Sequence, residues 1–291
     1  MTAVALIGLG EVGTVLATDL DASVTAWDVA FADPGSPASR NAAATGVRRA
    51  TDADAAVAGV DLVISAVTAA NTLAAAKSVT GLGGAWYLDL NSAAPGRKQA
   101  AAEVVERSGG RYVEAAVMSP INPKRLAAPM LLGGPHAGAF AEFARPLGFT
   151  ALEPYADVVG PASATKLCRS VVIKGVEALL TESMLAAREW GVEGRVLASL
   201  SNLLPADDWE ALAGYMISRS LVHGTRRAEE MREAAATVAD TGVQPLMSEA
   251  TARRQDWTAA FRDVGDDAGD TTLRPMLDAI RSAMDGKGKR G

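Results

Sequence analysis

Val4-Ala5-Leu6-Ile7-Gly8-Leu9-Gly10-Glu11-Val12-Gly13-Thr14-Val15-Leu16-Ala17 is the most informative stretch of this chain. Four apolar residues of strand character run directly into a G-x-G-x-x-G loop, and the loop opens a helix. Each glycine has its own task. Gly8 makes the tight turn, Gly10 lets backbone approach a pyrophosphate, and Gly13 lets the helix pack on the strand. The helix start aims unpaired backbone N–H groups at an anion. Next, Val24-Thr25-Ala26-Trp27-Asp28 reads as a second strand whose terminal carboxylate falls twenty residues after Gly8. An acid there accepts hydrogen bonds from the adenosine ribose hydroxyls. Strand, loop, helix, strand and acid stand in the order a dinucleotide site requires; a mononucleotide fold with chance glycines is the competing reading. Gly8, Leu9, Gly10, Glu11, Val12, Gly13 and Asp28 are the expected cofactor contacts. Asp28 repels a 2′-phosphate, so NAD is expected ahead of NADP. NADP stays open because Arg40 lies twelve residues further on, past the loop 33–37, and loops fold back.

Beyond Asp28, residues 46–50 read as a short strand, 52–58 as a short helix, and 61–67 as a compact apolar strand of the buried parallel kind. Strands are expected at 85–90, 111–115, 129–134 and 149–154, with helices at 96–108 and 138–146 between them. Such alternation implies right-handed crossovers and a doubly wound, mostly parallel sheet. The character changes near Gly160. From there no convincing strand occurs, and the organisation expected is a dinucleotide-binding domain over 1–159 and an all-helical domain over 160–291. A first helix over 163–190, roughly 42 Å long at 1.5 Å per residue, stops at Gly191. Further helices are expected over 194–203, 207–221, 224–240, 246–261 and 271–284, with Pro205 and Asp207 or Asp208 marking one start.

Composition narrows the function. The 291 residues carry 28 Lys plus Arg against 34 Asp plus Glu, a net charge of −6, which disfavours nucleic acid as a partner. Lys287-Gly288-Lys289-Arg290 reads as a solvated tail. The single Cys168 excludes an intrachain disulfide and a thiolate metal cluster, and His136 and His223 are too few for a His-rich zinc site; no metal is expected. No apolar run reaches the roughly 18 residues that cross a bilayer, and the first residues belong to the first strand rather than to a leader. A cytoplasmic protein with no membrane partner is the expectation.

Ligands of open α/β sheets bind beyond the carboxyl ends of the strands. Val67, Thr68 and Asn71 follow one strand and are expected at the cofactor. Asn91 and Ser92 follow the next; they can donate to a nicotinamide ribose or a substrate carboxylate, or simply cap the helix before Pro95. Met118-Ser119-Pro120-Ile121-Asn122 follows a third. On the long helix Lys166, Ser170, Lys174 and Glu177 form one narrow polar stripe. Such a stripe also arises where a helix merely faces water, but this one begins where the second domain must meet the cofactor crevice. Lys166 is therefore the candidate catalytic residue. The start His223-Gly224-Thr225-Arg226-Arg227 reads as another helix opening, either an ordinary surface feature or a basic end facing an acidic substrate.

With those residues assembled, the chain resembles the β-hydroxyacid dehydrogenases, the group of 3-hydroxyisobutyrate and 6-phosphogluconate dehydrogenases, in the branch with a phosphogluconate-dehydrogenase-like helical C-terminal domain. Gly8, Gly10, Gly13 and Asp28 match its cofactor fingerprint. Asp89-Leu90-Asn91-Ser92-Ala93-Ala94-Pro95 is similar to its D-x-S-T-x-x-P segment, with Ser92 in place of threonine, and Gly160-Pro161-Ala162-Ser163-Ala164-Thr165-Lys166 is similar to its approach to a catalytic lysine. The chain departs at Glu114-Ala115-Ala116-Val117-Met118-Ser119-Pro120, where the family has D-A-P-V-S-G-G, and at Ser170, where it has asparagine. Ser119 or Asn122 must then hold the substrate carboxylate, and the shorter Ser170 leaves a different pocket. The resemblance implies hydride transfer between a nicotinamide and a small β-hydroxy acid or related carbonyl compound. Lys166 acts as general acid/base, which requires an amine that gives up its proton more readily than free lysine, and Ser92, Ser119, Asn122 and Ser170 hold an acidic substrate. Imine reduction and a regulatory module that binds NAD with a decayed substrate site are the alternatives. Related helical domains pair and the long helix is apolar, so a homodimer is expected.

Overall fold

The computed structural model describes residues 1–200, 208–263 and 272–288, with side chains to 284 in the last stretch. The chain divides into two compact units, Met1–Leu167 and Cys168–Gly291.

The first unit is built on eight strands: β1 (Ala3–Ile7), β2 (Ser23–Trp27), β3 (Arg48–Arg49), β4 (Leu62–Ser65), β5 (Trp86–Asp89), β6 (Arg111–Val117), β7 (Met130–Gly133) and β8 (Leu152–Ala156). They form one sheet in the order β3-β2-β1-β4-β5-β6-β7-β8. Helices α1 (Glu11–Asp19), α2 (Pro37–Thr45), α3 (Ala53–Val57), α4 (Thr72–Lys77), α5 (Pro95–Arg107) and α6 (Ala137–Ala144) connect them. Every pairing is parallel except β6 with β7. That exception has a topological cause. The β6 to β7 connection contains one short 3₁₀ turn and no crossover helix, so the chain simply doubles back.

Both faces of the sheet are covered, and the period-two alternation of strand side chains sorts the core into two layers. Val4, Leu6, Leu62, Ile64 and Leu88 pack with Leu16 and Phe140 on one face. Ala5, Ile7, Val63 and Tyr87 pack with Ala76, Ala101 and Val105 on the other. Fully burying a side chain such as Leu88 contributes about 1.5–3 kcal/mol. The apolar runs of β4 and β5 thus reflect burial on both sides.

The second unit is helical. α7 (Pro161–Glu189) enters it from the first, followed by α8 (Glu193–Leu200), α9 (Trp209–Ala239), α10 (Leu246–Ala259) and α11 (Leu273–Gly288). Leu180, Met184, Ile217, Leu221, Phe261 and Leu277 share its core. Asp208 caps α9 by accepting from Ala211 N at 2.9 Å. Pro205 and Asp207, the helix limits expected at 203, 207 and 271, and the side chains of the basic end lie outside the described residues.

One expectation is corrected here. The helices read over 207–221 and 224–240 are the single helix α9, and 223–227 is its interior rather than a start. Gly224 stays within the helix because α10 packs directly against it: a Cβ there would stand 2.6 Å from Gln255 O and 2.9 Å from Ala259 Cβ. Close helix approach, not a turn, explains that glycine. Among the described residues, no helix is long and apolar enough to cross a membrane.

Candidate active site

The carboxyl ends of β1, β2 and β4 frame a cleft of about 490 Å³, lined by Gly8, Gly10, Asp28, Val29, Val67, Thr68 and Asn71 among others. Gly8 has φ +98°, a conformation open to glycine and rarely to other residues, and Ala66 O lies 2.6 Å from where its Cβ would be. A Cβ on Gly13 would collide with Gly8 O, so α1 seats directly on the loop. Around Gly10 the space is open, with nothing within 4 Å of where a Cβ would stand, and the first N–H groups of α1 lie next in the chain. That room beside a helix N-terminus fits a pyrophosphate.

Asp28 is half-buried, with Oδ2 accepting from Leu9 N and Oδ1 from Ala30 N, both at 2.8 Å. These bonds orient the carboxylate, and its remaining lone pairs can take ribose hydroxyls. Leu9 has its side chain in the core, its N–H on Asp28 and its carbonyl on Asn41, so it shapes the loop. Glu11 is exposed in the first turn of α1 and Val12 packs on the core. Asn71 donates to Thr68 Oγ1 at 3.1 Å on the exposed rim. Arg40 is turned to Gly35 O, Arg48 to Thr25 Oγ1, and Arg49 to Phe31, whose ring it covers at 4.3 Å.

A chain of contacts leads from the cleft wall to the candidate amine. Asn91, buried after β5, accepts from Val67 N at 2.7 Å and donates to Ser65 Oγ at 3.0 Å, tying the β5 end to the β4 end. The next residue, half-buried Ser92, accepts at Oγ from Lys166 Nζ at 2.6 Å. Lys166, on the first turns of α7 and also half-buried, therefore reaches the carboxyl end of β5.

Two buried groups hold this arrangement from below. Lys98 on α5 donates to Asp89 O at 2.8 Å, Asp89 Oδ1 at 3.3 Å and Ala115 O at 3.1 Å. Asp89 also accepts from Tyr112 OH and Asn91 N, at 2.7 and 2.8 Å. Burial and the Asp89 charge push the Tyr112 phenol well above its ordinary range, keeping it a donor. Glu114 on β6 accepts from Gly160 N at 2.7 Å and Ser163 N at 2.8 Å, capping α7 with a carboxylate from another element. Sequence reading passed over Lys98 and Glu114, since a lysine in a helix and a glutamate in a strand carry no local mark of burial. The one signal was Glu114 occupying the family's aspartate position.

The remaining residues are more scattered. Ser119 donates to Pro120 O at 3.0 Å, and Asn122 is exposed in the same loop. Ser170, buried in the helical unit, accepts from Lys174 Nζ at 3.1 Å. Lys174 and Glu177, read as one stripe with Lys166, are engaged within that unit: Lys174 with Glu230 at 2.7 Å, and Glu177 with Arg227.

Comparison with known proteins places both parts of the chain among known families and folds. Residues 3–147 match the family described as the NAD binding domain of 6-phosphogluconate dehydrogenase, and residues 187–258 match a domain of unknown function. The chain is similar to the crystal structure of a conserved hypothetical protein from Sinorhizobium meliloti, 35% identical, covering 96% of each chain with a TM-score of 0.73. It is similar to a conserved protein of unknown function described as structurally similar to 3-hydroxyacid dehydrogenases, 29% identical over 90% of this chain and 99% of that one, TM-score 0.66. It also shares its fold with the 3-hydroxyisobutyrate dehydrogenase of Mycobacterium tuberculosis determined with L-serine, 20% identical over 97% and 99% of the chains, TM-score 0.68.

Proposed function

The chain belongs to the β-hydroxyacid dehydrogenase family, and from that premise we propose that it is an NAD-dependent oxidoreductase interconverting a small β-hydroxy acid and its carbonyl partner, with Lys166 as general acid/base. The observation that carries the proposal is Lys166 Nζ on Ser92 Oγ at the carboxyl end of β5. Gly8, Gly10, the α1 start and Asp28 would hold the dinucleotide. When bound, its nicotinamide supplies the hydride acceptor in oxidation and the hydride donor in reduction.

The side chains manage the proton. In oxidation the neutral Lys166 amine takes the substrate hydroxyl proton at Nζ; in reduction the ammonium gives it to the forming alkoxide oxygen. Ser92 keeps Nζ in place, and Ser119 or Asn122 orients the substrate by a hydrogen bond to its carboxylate. Positioned proton transfer of this kind contributes about 10²–10⁴-fold in rate. Asp28 favours NAD, because a 2′-phosphate would stand against a carboxylate already held by two backbone N–H groups.

The test is a panel of β-hydroxy acids and cyclic imines with NADH, NAD and their phosphorylated forms. Wild type is expected to turn over an acid with the unphosphorylated cofactor, and Lys166→Met to bind NADH unchanged while losing turnover by about 10²-fold or more. Turnover of imines alone would make the protein an imine reductase. Normal NADH binding with no substrate in the panel would favour the regulatory module. Val172, Leu179, Trp190 and Tyr215 expose apolar surface on the helical unit, which supports the homodimer and is checked by sedimentation.

A further inference from the structure

The helical unit contains a charge cluster that the redox proposal leaves unused. Glu177, buried on α7, accepts from Arg227 of α9 and, at 3.3 Å, from Gln255 Nε2 of α10. Glu230 on α9 pairs with Lys174 of α7 at 2.7 Å and with Arg226 at 3.7 Å. Two carboxylates thus serve Lys174, Arg226 and Arg227, and one more cation adjoins them. Arg219 meets His223 Nε2 through Nη1 at 3.0 Å, and its Nε is buried with no hydrogen-bond partner. Arg227 Nε is buried without a partner as well.

Arg219 lies in the field of Glu177, but its hydrogen-bond partner is an uncharged ring and Glu177 is shared with Arg227 and Lys174, so the cations of the cluster outnumber its carboxylates and a further anion is favoured. His223 records the imbalance: burial and Arg219, Arg226, Arg227 and Arg262 push its pKa down to about 4, and Glu177, Glu230 and Lys174 belong to the same cluster. Residues 219, 223 and 226 fall at i, i+4 and i+7, so they share one face of α9, and Arg226 is exposed where His223 and Arg219 are partly so. A guanidinium is matched in shape and charge to a carboxylate or a phosphate.

We propose that Arg219, His223 and Arg226 form a binding site on α9 for a small oxyanion, a carboxylate or a phosphate. The site stands independently of Lys166 and of the redox reaction. A bound anion adds negative charge to a cluster whose cations outnumber its carboxylates and relieves the arginine field on His223.

The experiment is thermal unfolding of the full chain at neutral pH with inorganic phosphate or malonate, against chloride at matched ionic strength. Either oxyanion is expected to raise Tm saturably in wild type and in the exposed-site control Arg253→Gln, and Arg219→Gln to weaken the apparent affinity by roughly tenfold or more. Phosphate and malonate titrated separately identify which chemistry fits. In wild type, proton NMR of the two histidines is expected to move the His223 midpoint upward from about 4 when the oxyanion is present, a readout that needs no variant. The proposal is overturned if neither oxyanion exceeds chloride, or if Arg219→Gln responds like wild type. It is also overturned if, without added anion, Tm depends on protein concentration and Arg219→Gln abolishes that dependence, which would assign the cluster to a carboxylate of a second copy.

Discussion

Lys166 Nζ donates to Ser92 Oγ at 2.6 Å, joining the first turns of α7 to the carboxyl end of β5. A hydroxyl can accept from an ammonium or donate to a neutral amine, so this partner holds the nitrogen in both protonation states that an acid/base catalyst visits. Ser92→Ala is expected to lower kcat by about 10- to 100-fold, from the about 1.5–3 kcal/mol of a hydrogen bond to a charged group, with NADH affinity unchanged. Ser92→Thr keeps the hydroxyl and is expected to keep most of the activity. Steady-state kinetics beside a fluorescence titration of NADH separates the two effects.

The fingerprint glycines predict opposite phenotypes. Gly13→Ala drives a methyl into Gly8 O, so Tm and nucleotide binding fall together, at a cost of about 1–3 kcal/mol in stability. Gly10→Ala has open space around it, so the protein is expected to keep its Tm while NADH affinity drops, because the proposed pyrophosphate position is the room the new methyl fills. A Gly10→Ala protein that binds NADH normally would place the cofactor elsewhere.

Glu114 positions Lys166 without touching it. Its two oxygens take the N–H groups of Gly160 and Ser163 at the start of α7, and Glu114→Gln turns one acceptor into a donor facing an N–H. The expected loss is about 1–3 kcal/mol by urea unfolding, together with a lower kcat and an unchanged NADH dissociation constant. A kcat equal to wild type would mean that the cap serves stability alone.

Stability should fall in mild acid through His223. Its pKa in the folded protein is about 4, below the roughly 6.5 of an unfolded chain, so the unfolded state binds the proton more tightly. The contribution is fully present above about pH 6.5 and is lost as pH falls from there to about 4. Tm measured across that window is expected to decline more steeply in wild type than in His223→Gln, at low oxyanion concentration.

Much of the first unit was legible because its evidence is local. Residues 4–28 carry strand, glycine loop, helix, strand and acid within one βαβ unit, and the contacts that make those glycines necessary lie within that unit or just after β4. The helical half was less legible, and Gly224 shows why. A glycine flanked by polar residues reads as a helix boundary, yet it lies within α9 because α10 approaches it, and nothing in residues 223–227 announces a helix some thirty residues later.

Local sequence was enough to set the kind of unit at each position: period-two apolar runs, a loop that only glycine can make, and a helix bearing Lys166. Which distant polar groups meet followed from long-range packing. Lys98 found Asp89, Glu114 found the start of α7, and Arg219 was left beside a neutral histidine. The division has a physical origin. Backbone sterics and hydrophobic periodicity act between near neighbours in the chain, whereas a buried charge is defined by its surroundings, and strand order and helix packing assemble those from segments far apart in sequence.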